Sequence, residues 1–249
     1  MSLPEIASRE EWLAARRELL AREKELTRRS DALNSDRRRM PMVPIGKEYP
    51  FTGSAGEVSL LDLFEGRRQL IVQHFMFDPA WDDGCSSCTA SVDELAAGLL
   101  DHLHARETTF ALVSRAPFAK LDAYRARRGW SVPWYSSFGG DFNYDFHVTL
   151  DESVAPIEVN YRTRTELEQA AATAWVARAK QPIEVPGVSC FLRDGEAIFH
   201  TNSTYARGTE YLGGAYTLLD LTALGRQEDW EEPKGRAEAA HEPVPDFST

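Results

Sequence analysis

Two cysteines three positions apart, Cys85 and Cys88, are the residues of this chain best suited to chemistry. Two thiols at the start of a helix, at that spacing, can close an intramolecular disulfide. The amino end of a helix leaves N–H groups unpaired and carries partial positive charge, so it favours thiolate over thiol. Cys85 would then attack a disulfide sulfur. Cys88, one turn further in, would attack the mixed disulfide and release the reduced product. Asp82 and Asp83, just before Gly84, place negative charge ahead of Cys85, which predicts a thiol of only moderate acidity.

Other fates for the pair fit less well. Two thiols packed as small hydrophobes have no need of a helix start. Zinc wants four ligands, and beyond the pair the chain's histidines, among them His74, His147 and His200, are scattered, so no metal is expected, and no organic cofactor. His74, in an apolar run, reads as a core histidine, and Cys190, alternating along a second run, as core.

The elements that must position the pair are legible from periodicity. Residues 69–77 are almost continuously apolar and β-favouring, as a central strand covered on both faces would be. A loop leads to the cysteines, and residues 89–106 carry Val92, Leu95, Leu99 and Leu103 at helical spacing. Residues 109–114 read as a second buried strand and residues 117–128 as a second helix, opened by Pro117 and closed by Gly129. This βαβα run implies a parallel strand pair. Residues 130–161 are rich in aromatics and glycine and do not read as regular structure; residues 164–180 read as a short Ala-rich helix. Two strands, 188–192 and 197–201, flank Asp194-Gly195 as a β-hairpin, and residues 211–224 read as a closing helix. Ahead of all this, residues 5–39 form one helix or two with Trp12, Leu19, Leu26 and Leu33 seven apart, a stripe that needs either its own domain or a second copy to cover it. Residues 40–56 read as a connecting arm, and residues 58–64 as a short edge strand or helical turn.

In this order of elements, residues 69–224 resemble the thioredoxin fold. The chain also resembles a bacterial thioredoxin-like family catalogued as a domain of unknown function. That resemblance rests on RQLIVQHFMF at 68–77, GCSSC at 84–88, SFGGDFNYDF at 137–146 and FHTNSTYARG at 199–208. It implies an α/β class: a central mixed sheet flanked by helices, with an N-terminal helical extension at 1–40, a thioredoxin-like domain at 41–226 with an aromatic insertion near 130–182, and an acidic tail at 227–249. It further implies Cys85 as nucleophile and Cys88 as resolving thiol. Thioredoxins place a cis-proline before the hairpin strand, facing the dithiol; here Gly187 falls at that point with Pro186 one residue earlier. Trp81, Pro186 and Gly187 are therefore the expected substrate contacts. Ser86 and Ser87 stand where thioredoxins carry Gly-Pro.

A protein or small-molecule disulfide is accordingly the expected partner, and thiol–disulfide exchange the expected reaction. Peroxiredoxins share the fold, but the residue three before Cys85 is Asp82 rather than the Thr or Ser that orients a peroxide, so a thiol peroxidase is the lesser enzymatic alternative. The non-enzymatic alternative is an interaction module, dimeric through the N-terminal helix.

A formal net charge of −11 argues against nucleic acid and against an anionic membrane surface as partners. The acidity lies in the body, since residues 1–40 hold ten basic and eight acidic side chains. No stretch approaches the roughly 18 apolar residues of a membrane span, and no signal-peptide pattern opens the chain, which makes the cytoplasm the expected compartment. Three cysteines are too few for a secreted disulfide scaffold.

Overall fold

The longest run of buried backbone is residues Thr108–Ser114, where all seven side chains are inaccessible, as a strand with layers on both sides requires. In the computed structural model, which describes residues 3–96, 98–170, 176, 178–212, 214–224, 226, 228 and 230–234, this strand sits near the middle of an eight-stranded sheet. In chain order the strands are β1 (Val43–Pro44), β2 (Pro50–Gly53), β3 (Gly56–Ser59), β4 (Gln69–His74), β5 (Thr108–Ser114), β6 (Trp134–Ser136), β7 (Thr149–Leu150), β8 (Glu158–Val159), β9 (Arg162–Thr163), β10 (Ile183–Glu184), β11 (Gly187–Asp194) and β12 (Ala197–Tyr205). Among the described residues the helices are α1 (Arg9–Arg39), α2 (Ser86–Asp93), α3 (Leu99–His104), α4 (Phe118–Arg128), α5 (Phe142–Asp145) and α6 (Arg164–Gln169), with a further short helix at Ala215–Leu219.

The sheet runs β1-β12-β11-β4-β5-β6-β2-β3, with β4, β5 and β6 parallel and β11 antiparallel to both β4 and β12. The central order β12-β11-β4-β5, with α2 and α3 crossing from β4 to β5, is the thioredoxin-like arrangement. Alternation along the strands separates two cores. Leu70, Val72, Ala111 and Val113 join Phe51, Phe64, Phe142 and Phe191 on one face. Phe110 and Leu112 join Phe75, Phe77, Cys88, Val92, Leu121 and Trp134 on the other. The dithiol therefore belongs to the second face. β7 and β10 pair apart from the main sheet, as do β8 and β9.

Several sequence expectations are corrected. Residues 40–56 are more than an arm: β1 and β2 bring strands to opposite sides of the sheet, and Tyr49 and Phe51 are buried. Residues 58–64 hold both forms expected of them, the end of β3 and a 3-10 turn at Asp62–Phe64. The apolar run 69–77 stays in the sheet only to His74. The helix expected over 89–106 breaks between α2 and α3, around Gly98, where helix propensity is poor. Within the stretch 130–161, β6 continues the parallel sheet and α5 carries Phe142 into the core. The closing helix shrinks to a 3-10 segment, Ala206–Leu212, and the short helix after it. Of the helix expected over 164–180, α6 is seen; residues 171–175 and 177, and most of the tail 227–249, lie outside the described residues. The hairpin forms as expected, with Gly195 at φ 61° in its turn.

Two compact units divide the described residues, one spanning 42–217 and a second spanning 3–41 together with the described residues from 218 on. In the second, α1 is a single 31-residue helix opened by a capping box: the Glu11 N–H donates to Ser8 Oγ at 3.3 Å and the Ser8 N–H to the Glu11 carboxylate at 2.8 Å. Trp12, Leu19, Leu26 and Leu33 remain 47–69% exposed. No helix among the described residues is long and apolar enough to cross a membrane.

Candidate functional site

After His74 the chain leaves β4 by way of Phe75 and Phe77, both fully buried in the dithiol-side core. It then loops through residues 78–84 and returns to its starting point, where the Cys85 N–H donates to the Met76 carbonyl at 3.0 Å. Cys85 is the N-cap of α2, in non-helical backbone at φ −53° and ψ 130°. Its carbonyl accepts both the N–H and the hydroxyl of Thr89, each at 2.9 Å, and that hydroxyl also meets the Tyr124 hydroxyl at 2.9 Å. Gly84 is required here, because a Cβ at this position would lie 2.5 Å from the Phe75 ring.

The two thiols are unequal. Cys85 is half-buried and Cys88 buried. The Cys85 thiol is pulled down to about 6, chiefly by the hydrogen bond it accepts from the Cys88 side chain; burial opposes this, and the N–H groups of Cys88 and Ser87 and the Ser87 hydroxyl reinforce it. Cys88 is pushed well above its usual value by the same bond, by burial and by the charge on Cys85, with only the Met76 N–H acting the other way. The two thiols are thus shifted in opposite directions, Cys85 toward thiolate and Cys88 toward thiol. The moderate acidity expected from Asp82 and Asp83 is corrected: local donors dominate, and Asp83 is ion-paired with Arg127.

The loop is pinned by cations that sequence reading missed. Arg115, the residue after β5, donates through Nε to Glu184 at 2.6 Å and through Nη2 to Asp78. Lys120 Nζ donates to the Pro79 carbonyl at 2.9 Å and to that of Trp81. An arginine directly behind seven buried strand residues was the available signal for the first.

Of the expected substrate contacts, Trp81 rides on this loop, 39% exposed and outside both hydrophobic cores described above. Trp134, by contrast, is core, 2% exposed. Gly187 opens β11 and pairs with His74, two residues before the Met76 backbone that holds both cysteines. Its backbone is close-packed, since a Cβ would lie 2.9 Å from the Tyr205 ring. Pro186 does not supply a cis peptide: among the described residues the cis bonds are Gln181–Pro182 and Glu232–Pro233.

On the opposite face, His74 Nε2, Ser189 Oγ, Ser203 Oγ and His200 Nε2 form a hydrogen-bonded chain with steps of 2.8, 2.7 and 2.7 Å. His74 is pulled down to about 3 by burial and by the neighbouring His200, so it stays neutral. The core reading of His74 holds, and its partners come from strands remote in sequence. Cys190 lies on β11, beside a register shift. Among the described residues no three His, Cys, Asp or Glu side chains gather as a metal site.

Residues 1–242 match the family model described as "Bacterial protein of unknown function (DUF899)". The chain belongs to this family. No curated protein matches it. Among solved structures it is similar to a cysteine-to-serine mutant of Xanthomonas campestris peroxiredoxin Q, at 13% identity over 66% of this chain and 86% of that one, TM-score 0.40. A cysteine-to-serine mutant of Xylella fastidiosa PrxQ, at a different cysteine, gives 14% identity over 70% and 94%, TM-score 0.39. Yeast mitochondrial 1-Cys peroxiredoxin gives 13% over 70% and 73%, TM-score 0.37. These are distant likenesses, so the chemistry has to come from the site itself.

Proposed function

We propose that this protein is a thiol–disulfide oxidoreductase. The observation that carries the reading is the placement of the dithiol: Cys85, half-buried, is the N-cap of α2 and Cys88 lies buried in its first turn, a setting that pulls the Cys85 thiol down and pushes Cys88 up. The Cys85 thiolate attacks one sulfur of a substrate disulfide, the S–S bond breaks, and the far sulfur leaves as thiolate. Cys88 then passes its proton to the departed substrate thiolate and attacks Cys85 Sγ, closing the Cys85–Cys88 disulfide and releasing the second substrate thiolate. The substrate gains two electrons and the dithiol loses two; an external thiol reductant returns the chain to its starting state. Trp81, Pro186 and Gly187 are the proposed substrate contacts.

Insulin or glutathione-disulfide exchange, measured for the native protein and for Cys85→Ser, tests this. The variant is expected to lose the activity; equal rates would end the proposal.

A second reading is supported by the Ser87 hydroxyl on the Cys85 sulfur. A hydroperoxide would be attacked at its terminal oxygen, leaving an alcohol and a Cys85 sulfenic acid, which Cys88 condenses to the same disulfide with loss of water. Peroxide consumption outpacing disulfide exchange would favour this route.

A further inference from the structure

Arg115 stands where three segments meet at the carboxyl end of the parallel strands. Its own strand, β5, ends at Ser114. One arm holds Asp78, the first residue of the loop that carries Trp81 and leads to Cys85; the other holds Glu184, two residues before Pro186 and three before Gly187. The second Asp78 oxygen accepts the Ala80 N–H at 2.7 Å, and the second Glu184 oxygen accepts the Thr149 hydroxyl at 2.9 Å. The side chains are enclosed: Arg115 is 14% exposed, Asp78 15% and Glu184 2%. One buried cation therefore bridges two carboxylates that would otherwise repel across a low-dielectric gap. Burial pushes the Glu184 carboxyl up, with Arg115 and Thr149 opposing.

We propose that Arg115 is a positioning residue for exchange with polypeptide disulfides. By gripping Asp78 and Glu184 together it fixes the spacing between the Cys85 loop and the start of β11, the two walls between which a bulky substrate would lie. It rests on the oxidoreductase reading above. Arg115 does not make the thiolate; the donors on Cys85 come from Ser87 and Cys88. Its loss therefore separates recognition from thiol acidity. A lysine keeps the charge but cannot reach both carboxylates with a rigid fork.

The test uses the full chain as Arg115→Lys and, as a gentler change to the loop arm alone, Asp78→Asn. Insulin reduction is followed as KM and kcat, iodoacetamide alkylation of Cys85 as a pH profile, and hydrogen exchange over residues 78–84 and 184–187. Both variants are expected to lose kcat/KM for insulin by on the order of ten- to a hundredfold, mainly through KM. The alkylation midpoint should stay at its native value, and the two segments should lose exchange protection together. A shifted midpoint would mean that Arg115 acts on the thiolate, overturning the positioning role; unchanged KM with unchanged protection would overturn it too. If the native protein reduces glutathione disulfide but not insulin, the role in polypeptide exchange is overturned; if it reduces neither, the oxidoreductase reading fails by itself. Hydrogen exchange then decides the bridge: joint loss of protection upholds the coupling of the two segments, and unaltered protection refutes it.

Discussion

Replacing Cys88 by alanine removes the foremost donor to the Cys85 sulfur and leaves the Ser87 hydroxyl and the N–H groups of Ser87 and Cys88 in place. A hydrogen bond to a charged group is worth about 1.5–3 kcal/mol, or about one to two pH units on a titration midpoint. The midpoint of Cys85 alkylation should therefore rise from about 6 in the native protein to about 7–8 in Cys88→Ala. A single rate at neutral pH would hide this. Less thiolate is present in the variant, but a more basic thiolate is intrinsically faster, with a Brønsted slope of about 0.4–0.5, so the two effects nearly cancel near pH 7. The informative measurement is the iodoacetamide rate from pH 4 to 10: the midpoint moves up and the alkaline plateau rises by about three- to eightfold. Cys88→Ser, which keeps a hydroxyl donor, should show a smaller displacement. Coincident profiles for the native protein and Cys88→Ala would refute the idea that Cys88 makes the thiolate.

Two further outcomes follow from the packing. Because burial holds the folded-state pKa of His74 at about 3, the unfolded chain takes up the proton first. Stability is then complete above about pH 6.5 and declines as pH falls, by up to about 1.4 kcal/mol per pH unit; urea titrations from pH 7 to 4 should show a shallower slope for His74→Gln, and identical slopes would contradict the burial argument. Gly84→Ala forces a Cβ against the Phe75 ring at 2.5 Å and should destabilise the fold by about 1–3 kcal/mol. Gly98→Ala, with open space around its Cβ, is the control, and equal melting temperatures for the two variants would rule out the clash.

The local signals were sufficient for much of the protein. Apolar runs and helical spacing marked β4, β5 and α4, the Asp194-Gly195 turn marked the hairpin, and Cys85 and Cys88 stood out by type and spacing alone. Each of these depends on neighbours within a few residues, which is information a single sequence carries directly. The same local view misjudged the stretches before β4 and after α4. β1, β2 and β6 are two to four residues long and owe their existence to partners far along the chain, Pro44 against Phe199 and Val113 against Tyr135.

What the sequence by itself determined is the chemistry on offer: a dithiol between a strand and a helix, in an acidic chain with no segment apolar enough to span a bilayer. What only the tertiary structure decided is how that chemistry is tuned. Counting charges in sequence put Asp82 and Asp83 against a low Cys85 pKa, whereas folding aims Cys88 and Ser87 at the sulfur and ties Asp83 to Arg127. Likewise nothing in the order of residues joins Arg115 to Asp78 and Glu184, which are 37 and 69 positions away. Electrostatic and hydrogen-bond energies fall off over a few ångströms of space, and distance along the chain is no guide to which groups come that close.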